Sequence, residues 1–144
     1  IEAMVIGGHG DTTTIPITSL AKCNNKLLTK ILSENQITEI ASNTMVGGAT
    51  LTKLLGTSAW YAPGASVSYL VNAILNDTKE ILPCSVLLEG EYGAKDLCIG
   101  VPVLIGKDGF EEVVELDLSN KELEMFKNSI KAVKETNSSL IGLI

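Results

Sequence analysis

The chain has 144 residues, 45% of them hydrophobic and 19% charged, with a formal net charge of −6; this is enough for one domain with a sizeable core, and no apolar run is long enough to span a bilayer. All eleven cationic residues are lysines, scattered singly, so no basic patch exists to release counterions and a nucleic-acid partner is excluded. The three cysteines, Cys23, Cys84 and Cys98, have no CxxC spacing and point to neither a disulfide framework nor a zinc site; they are expected to be reduced and mostly buried, in a cytoplasmic protein.

Residues 1–6 read as a strand already under way, not as a signal peptide with a basic start. The chain has no initiator Met, so it is expected to be a piece of something longer. Gly7-Gly8-His9-Gly10-Asp11 ends the strand in a turn. Residues 12–20 are rich in Thr and β-branched side chains, with Pro16 among them, which suits an edge strand. Residues 23–26 form a polar turn. Ser33 and Gln36 have capping-box spacing, and Ile37, Ile40, Ala41 and Thr44 follow at helical intervals. Gly47-Gly48 interrupts that helix at about 1 kcal/mol per glycine, which predicts a kink or a close backbone approach. Ala49, Leu51, Leu54 and Leu55 continue the pattern until Gly56-Thr57-Ser58 breaks it.

Pro63 introduces a second helix with an apolar stripe of Val67, Leu70, Val71, Ile74 and Leu75. Residues 81–88 read as a largely buried strand, 89–93 as a turn, and 97–105 as another strand. Lys107-Asp108-Gly109 turns that strand into 112–116, because Asp-Gly between apolar runs is a hairpin signal. Ser119 caps the last helix with Glu122 in the capping-box position, and Leu123, Phe126, Ile130 and Val133 make one face. The tail frays from Asn137. Strands and helices do not alternate regularly, so the expected fold is α+β, an antiparallel sheet packed with helices, as a single domain over 1–144.

His9 is the only histidine. A lone histidine is more often a surface residue than a catalyst, but its setting favours chemistry. Flanking glycines leave the imidazole unshielded and free the backbone. The end of a strand is a rigid base for a reactive group, and histidine titrates near neutral pH. Asp11 is a possible partner for His9, although a turn role suits its position better. His9 and Asp11 without a third ligand make no metal site, so no metal is expected. Glu89 and Glu91 read as solvated acids. There is no G-x-S-x-G, G-x-G-x-x-G or G-x-x-x-x-G-K-[ST]. The junction at residues 56–66 is dense in small side chains, which leave room for a ligand or for a second backbone.

Residues 4–12, MVIGGHGDT, followed by Ile15-Pro16, resemble the active-site loop of the lactate and malate dehydrogenase family. Residues 47–66, GGATLTKLLGTSAWYAPGAS, resemble its substrate-side helix junction. LEGEYG at 88–93 and IGVPVLIGKDG at 99–109 resemble its C-terminal sheet. The resemblance covers nearly the whole chain in order, and the wording is closest to bacterial malate dehydrogenases built on the lactate dehydrogenase plan. It implies a C-terminal substrate-binding domain of an NAD-dependent 2-hydroxy acid dehydrogenase. His9 matches the catalytic histidine, which gives a proton to the substrate carbonyl as hydride arrives from NADH and takes one back in reverse. Ser58 and Ala59 match residues that face substrate, and Pro63 one on the nicotinamide side. Lactate dehydrogenases usually carry Thr where Ala59 aligns, so the smaller side chain agrees with malate and oxaloacetate.

The family holds the substrate carboxylate with an Arg fork. This chain has no Arg, so the fork is expected in an N-terminal part, together with the Asp that orients the histidine, the specificity Arg and the glycine-rich NAD site. Ser19 stands near a position where the family often carries Arg. The resemblance also implies a homo-oligomer, dimer or tetramer. Two further readings compete: a lactate dehydrogenase of the same family, and a non-catalytic assembly module whose apolar tail at residues 141–144 meets a partner.

Overall fold

The computed structural model describes residues 1–140; the apolar tail at 141–144 lies outside the described residues. The elements are β1 (Val5–Gly7), β2 (Thr14–Pro16), β3 (Lys22–Cys23), β4 (Lys26–Leu27), α1 (Glu34–Met45), α2 (Gly47–Leu55), α3 (Tyr61–Leu75), β5 (Glu80–Glu89), β6 (Lys95–Gly106), β7 (Gly109–Val113) and α4 (Asn120–Ser138). Five strands form one sheet in the order β2-β1-β6-β5, with β7 also paired to β6, and every pairing is antiparallel. The α+β architecture read from the sequence is the one observed.

β6 is the spine. It pairs with β5 along its whole length, and β1 and β7 share its other edge in succession. Its side chains Leu97, Ile99, Val101, Val103 and Ile105 are all buried. β1 meets β6 at one register point, Gly7 opposite Gly100. A Cβ on Gly100 would stand 2.8 Å from the carbonyl oxygen of Gly7, so the contact needs glycine there. α4 closes the core from one side through Phe126 and Ile130, and Phe126 meets Tyr92 edge-on with ring centroids 4.9 Å apart. Both capping boxes form, Ser33 with Gln36 and Ser119 with Glu122.

Several expectations need correction. The strand at 12–20 shrinks to Thr14–Pro16, because residues 10–13 are consumed by a turn in which Gly10 carbonyl accepts from the amides of Thr13 and Thr14. The polar turn at 23–26 is a miniature hairpin, with Asn24 and Asn25 at φ 48° and 62°; asparagine tolerates this left-handed region. β5 is not largely buried. Its burial alternates, and Ile81 and Leu87 are exposed, because only one face meets the core. The last hairpin strand begins at Gly109, not at 112, since only Lys107 and Asp108 lie outside the ladder. The cysteines are not mostly buried: Cys98 is exposed, and Cys23 and Cys84 are half-buried. Strand alternation turns Cys98 away from its buried neighbours Leu97 and Ile99.

The helical pattern at 33–55 is broken as expected. Val46, at φ −99° and ψ 3°, separates α1 from α2. A Cβ at Gly47 or Gly48 would meet nothing within 4 Å, so the pair serves the kink and not a close approach. The stripe on α3 is half committed. Leu70 and Ile74 pack against the core, while Val67, Val71 and Leu75 are exposed. No described helix is long and apolar enough to cross a membrane.

Candidate active site

His9 lies in the loop between β1 and β2, and its side chain is exposed. The loop is short and closely tied. Gly10 carbonyl accepts from the amides of Thr13 and Thr14, each at 2.9 Å, and from the Thr13 hydroxyl at 3.3 Å. The Thr14 hydroxyl donates to Gly8 carbonyl at 3.1 Å. The Gly8 amide donates to the Ser129 hydroxyl of α4 at 2.9 Å. Both backbone polar groups of Gly8, the residue before His9, are therefore fixed by side chains.

The glycines divide their work differently from the sequence expectation. Positive φ is needed at Gly7, φ 99°, where a Cβ would stand 2.3 Å from Thr13 carbonyl oxygen. Of the two residues flanking His9, neither has positive φ. A Cβ on Gly8 would instead press on the side chain of Thr13 at 2.9 Å. Asp11 is exposed, and among the described residues neither a hydrogen bond nor an ion pair joins it to His9.

The imidazole borders a cleft of 610 Å³ between the loop and the helices α1 to α3. Ser58, Ala59 and Pro63 line the same cleft, as do Met45 and Gly48. The structure thus brings all four sequence-predicted residues into one space. Ser58 and Ala59 sit in the connection after Gly56, which ends α2 at φ 69°, and Pro63 occupies the first turn of α3. The walls are mainly small and apolar, and no lysine is among the residues that line it. On its other side His9 edges a smaller cleft of 440 Å³ toward β5 and β6.

Sequence reasoning missed Thr14, Met45 and Ser129. Ser129 had a readable signal: a serine at the core-facing spacing of Phe126, Ile130 and Val133 is a buried hydroxyl in need of partners. Ser19 has a visible role too. Its amide and hydroxyl donate to Glu122 at 3.0 and 2.6 Å.

Fold and site together define a class, an antiparallel α+β domain that offers one histidine to a cleft walled mainly by small and apolar groups. Residues 1–140 match the family model for the lactate/malate dehydrogenase alpha/beta C-terminal domain. Malate dehydrogenase of Bacteroides thetaiotaomicron is 59% identical over 97% of this chain and 45% of its own length. That of Flavobacterium johnsoniae is 57% identical over all of this chain and 46% of its length. The solved malate dehydrogenase of Salinibacter ruber is 41% identical, with TM-score 0.92 over 99% of this chain and 46% of that one. The lactate dehydrogenase of Cryptosporidium parvum, solved with lactic acid and nicotinamide adenine dinucleotide, is 34% identical, with TM-score 0.92 over 98% of this chain and 46% of that one. The chain belongs to the lactate/malate dehydrogenase family and corresponds to its C-terminal domain. It spans about half the length of the curated relatives it matches.

Proposed function

We propose that the protein containing this domain interconverts malate and oxaloacetate with NAD as hydride carrier, and that this domain supplies the proton and part of the substrate wall. The observation that carries the reading is the placement of His9. A pinned loop presents the imidazole to the same cleft that Ser58, Ala59 and Pro63 line. In reduction, protonated His9 gives its N–H proton to the carbonyl oxygen while that carbon accepts hydride; in oxidation, neutral His9 takes the hydroxyl proton as hydride leaves. Ser58 and Ala59 bound the substrate, and the small Ala59 leaves room for the second carboxylate.

The residues present fit one end of the cofactor. The small apolar side chains of Ala59, Ala62 and Pro63 along the cleft suit a nicotinamide ring, whereas the chain contains no glycine-rich phosphate loop. When bound, the nicotinamide supplies or removes the hydride. The cleft has no lysine and the chain no arginine, so the clamp on a dicarboxylate must be cationic groups from outside residues 1–144. We assign these groups, the orienting Asp and the rest of the NAD site to an N-terminal domain. The same reading makes the protein cytoplasmic and a homo-oligomer. The names of the relatives favour malate over lactate. Steady-state rates of the full-length protein with NADH test this choice: kcat/KM for oxaloacetate should exceed that for pyruvate by at least about a hundredfold, and a preference for pyruvate would make it a lactate dehydrogenase.

A further inference from the structure

One side chain outside the cleft holds both arms of the His9 loop. Ser129 lies in the third turn of α4 on the face of Phe126 and Ile130, and is 1% exposed. Its hydroxyl accepts from the Gly8 amide at 2.9 Å and donates to the Thr13 carbonyl at 2.8 Å. A hydroxyl has one proton, so the pair of bonds sets its rotor: hydrogen toward Thr13, lone pair toward Gly8. Residues 9–12 lie between these two attachment points. The arms are pressed together there. A Cβ on Gly7 would stand 2.3 Å from Thr13 carbonyl oxygen and 3.0 Å from the Ser129 hydroxyl. The Val133 methyl stands 3.2 Å from where a Cβ of Gly8 would be, so α4 also covers the first arm. Among the described residues, the hydroxyl is a hydrogen-bonded link between a helix anchored in the core and the two arms of the loop.

We propose that Ser129 is a positioning residue for His9, its buried hydroxyl bridging Gly8 and Thr13 so that the imidazole stands at a fixed place in the cleft. This rests on His9 being the proton carrier. Removing the hydroxyl takes away the side-chain partner of a half-buried N–H and a half-buried C=O and lets the two arms part. A shift of the imidazole by about an ångström is enough to slow proton transfer by up to about a hundredfold.

The test uses the full-length enzyme and variants at Ser129, Ile130 and His9. Ser129→Ala should lower kcat for oxaloacetate by roughly ten- to a hundredfold, with KM for NADH unchanged and faster hydrogen exchange at the Gly8 amide. Ser129→Thr, or Ser129→Cys where the extra methyl is not accommodated, should recover part of kcat and of the Gly8 protection. Ile130→Val, at a core side chain of the same helix that makes no hydrogen bond to the loop, controls for stability: it should lower the urea midpoint and leave kcat within about twofold. A Ser129→Ala enzyme with kcat within twofold of wild type, or with a loss no greater than that of Ile130→Val, overturns the proposal. His9→Asn separates the two levels. If that variant keeps full turnover, the functional reading fails, while Gly8 exchange in Ser129→Ala still reports whether the hydroxyl holds the loop.

Discussion

Glu122 is a carboxylate only 5% exposed that forms no ion pair among the described residues. Burial pushes its pKa up, but hydrogen bonds from the hydroxyls and amides of Ser119 and Ser19 outweigh this and hold it below the usual carboxylate range. A depressed folded pKa gives stability that is present above the unfolded value of about 4.3 and lost as pH falls through the folded value. Glu122→Gln keeps the capping box, as Gln36 does for α1, and loses the charge on the bonds from Ser19. It should cost about 1–2 kcal/mol at pH 7, and its urea midpoint should converge on that of wild type as the pH is lowered below about 4. A gap that stays constant down to pH 3 would rule out a charged Glu122 as the cause. The Ser119–Glu122 cap was legible in the sequence because its spacing is local. The link to Ser19, 103 residues away, was not, since no local pattern encodes a long-range partner. His9 and Ser129 show the same division.

At the scale of elements, helices and hairpins with local signals were legible: the two capping boxes, the break at the glycine pair and the turn at Lys107 and Asp108. The pairing of β1 with β6 was not, although Gly100 marks it. Alanine at Gly100 would put a Cβ 2.8 Å from a backbone oxygen, and neither partner is a flexible side chain. Gly100→Ala should destabilise the domain by about 1–3 kcal/mol, measured as a lowered urea midpoint. It should also disturb the His9 loop, because the displaced residue is Gly7. Gly47→Ala should act the other way. The added Cβ meets open space, so the loss of unfolded-state freedom should stabilise α2 by about 0.4–1 kcal/mol. The burial of β5 was misread because an apolar run alone does not say which face meets a core.

At the scale of the whole molecule, α2 and α3 expose several large apolar side chains: Leu54 is 80% exposed, Leu75 79% and Tyr61 94%. The relatives are about twice as long. In the proposed reading, the N-terminal domain packs on α2 and α3. The 144-residue chain should therefore bind more of a hydrophobic dye per molecule than the full-length protein, and should self-associate in sedimentation; equal dye binding would contradict a covered face. His9, Ser58, Ala59 and Pro63, singled out in the sequence by motif, line one cleft; their roles in binding and proton transfer are part of the proposal. The most direct measurement is turnover of full-length His9→Asn with oxaloacetate and NADH, with circular dichroism to verify the fold. A kcat lower by about 10²–10⁴-fold in a folded protein is expected for a lost general acid. Turnover near that of wild type would contradict the assignment of proton transfer to His9.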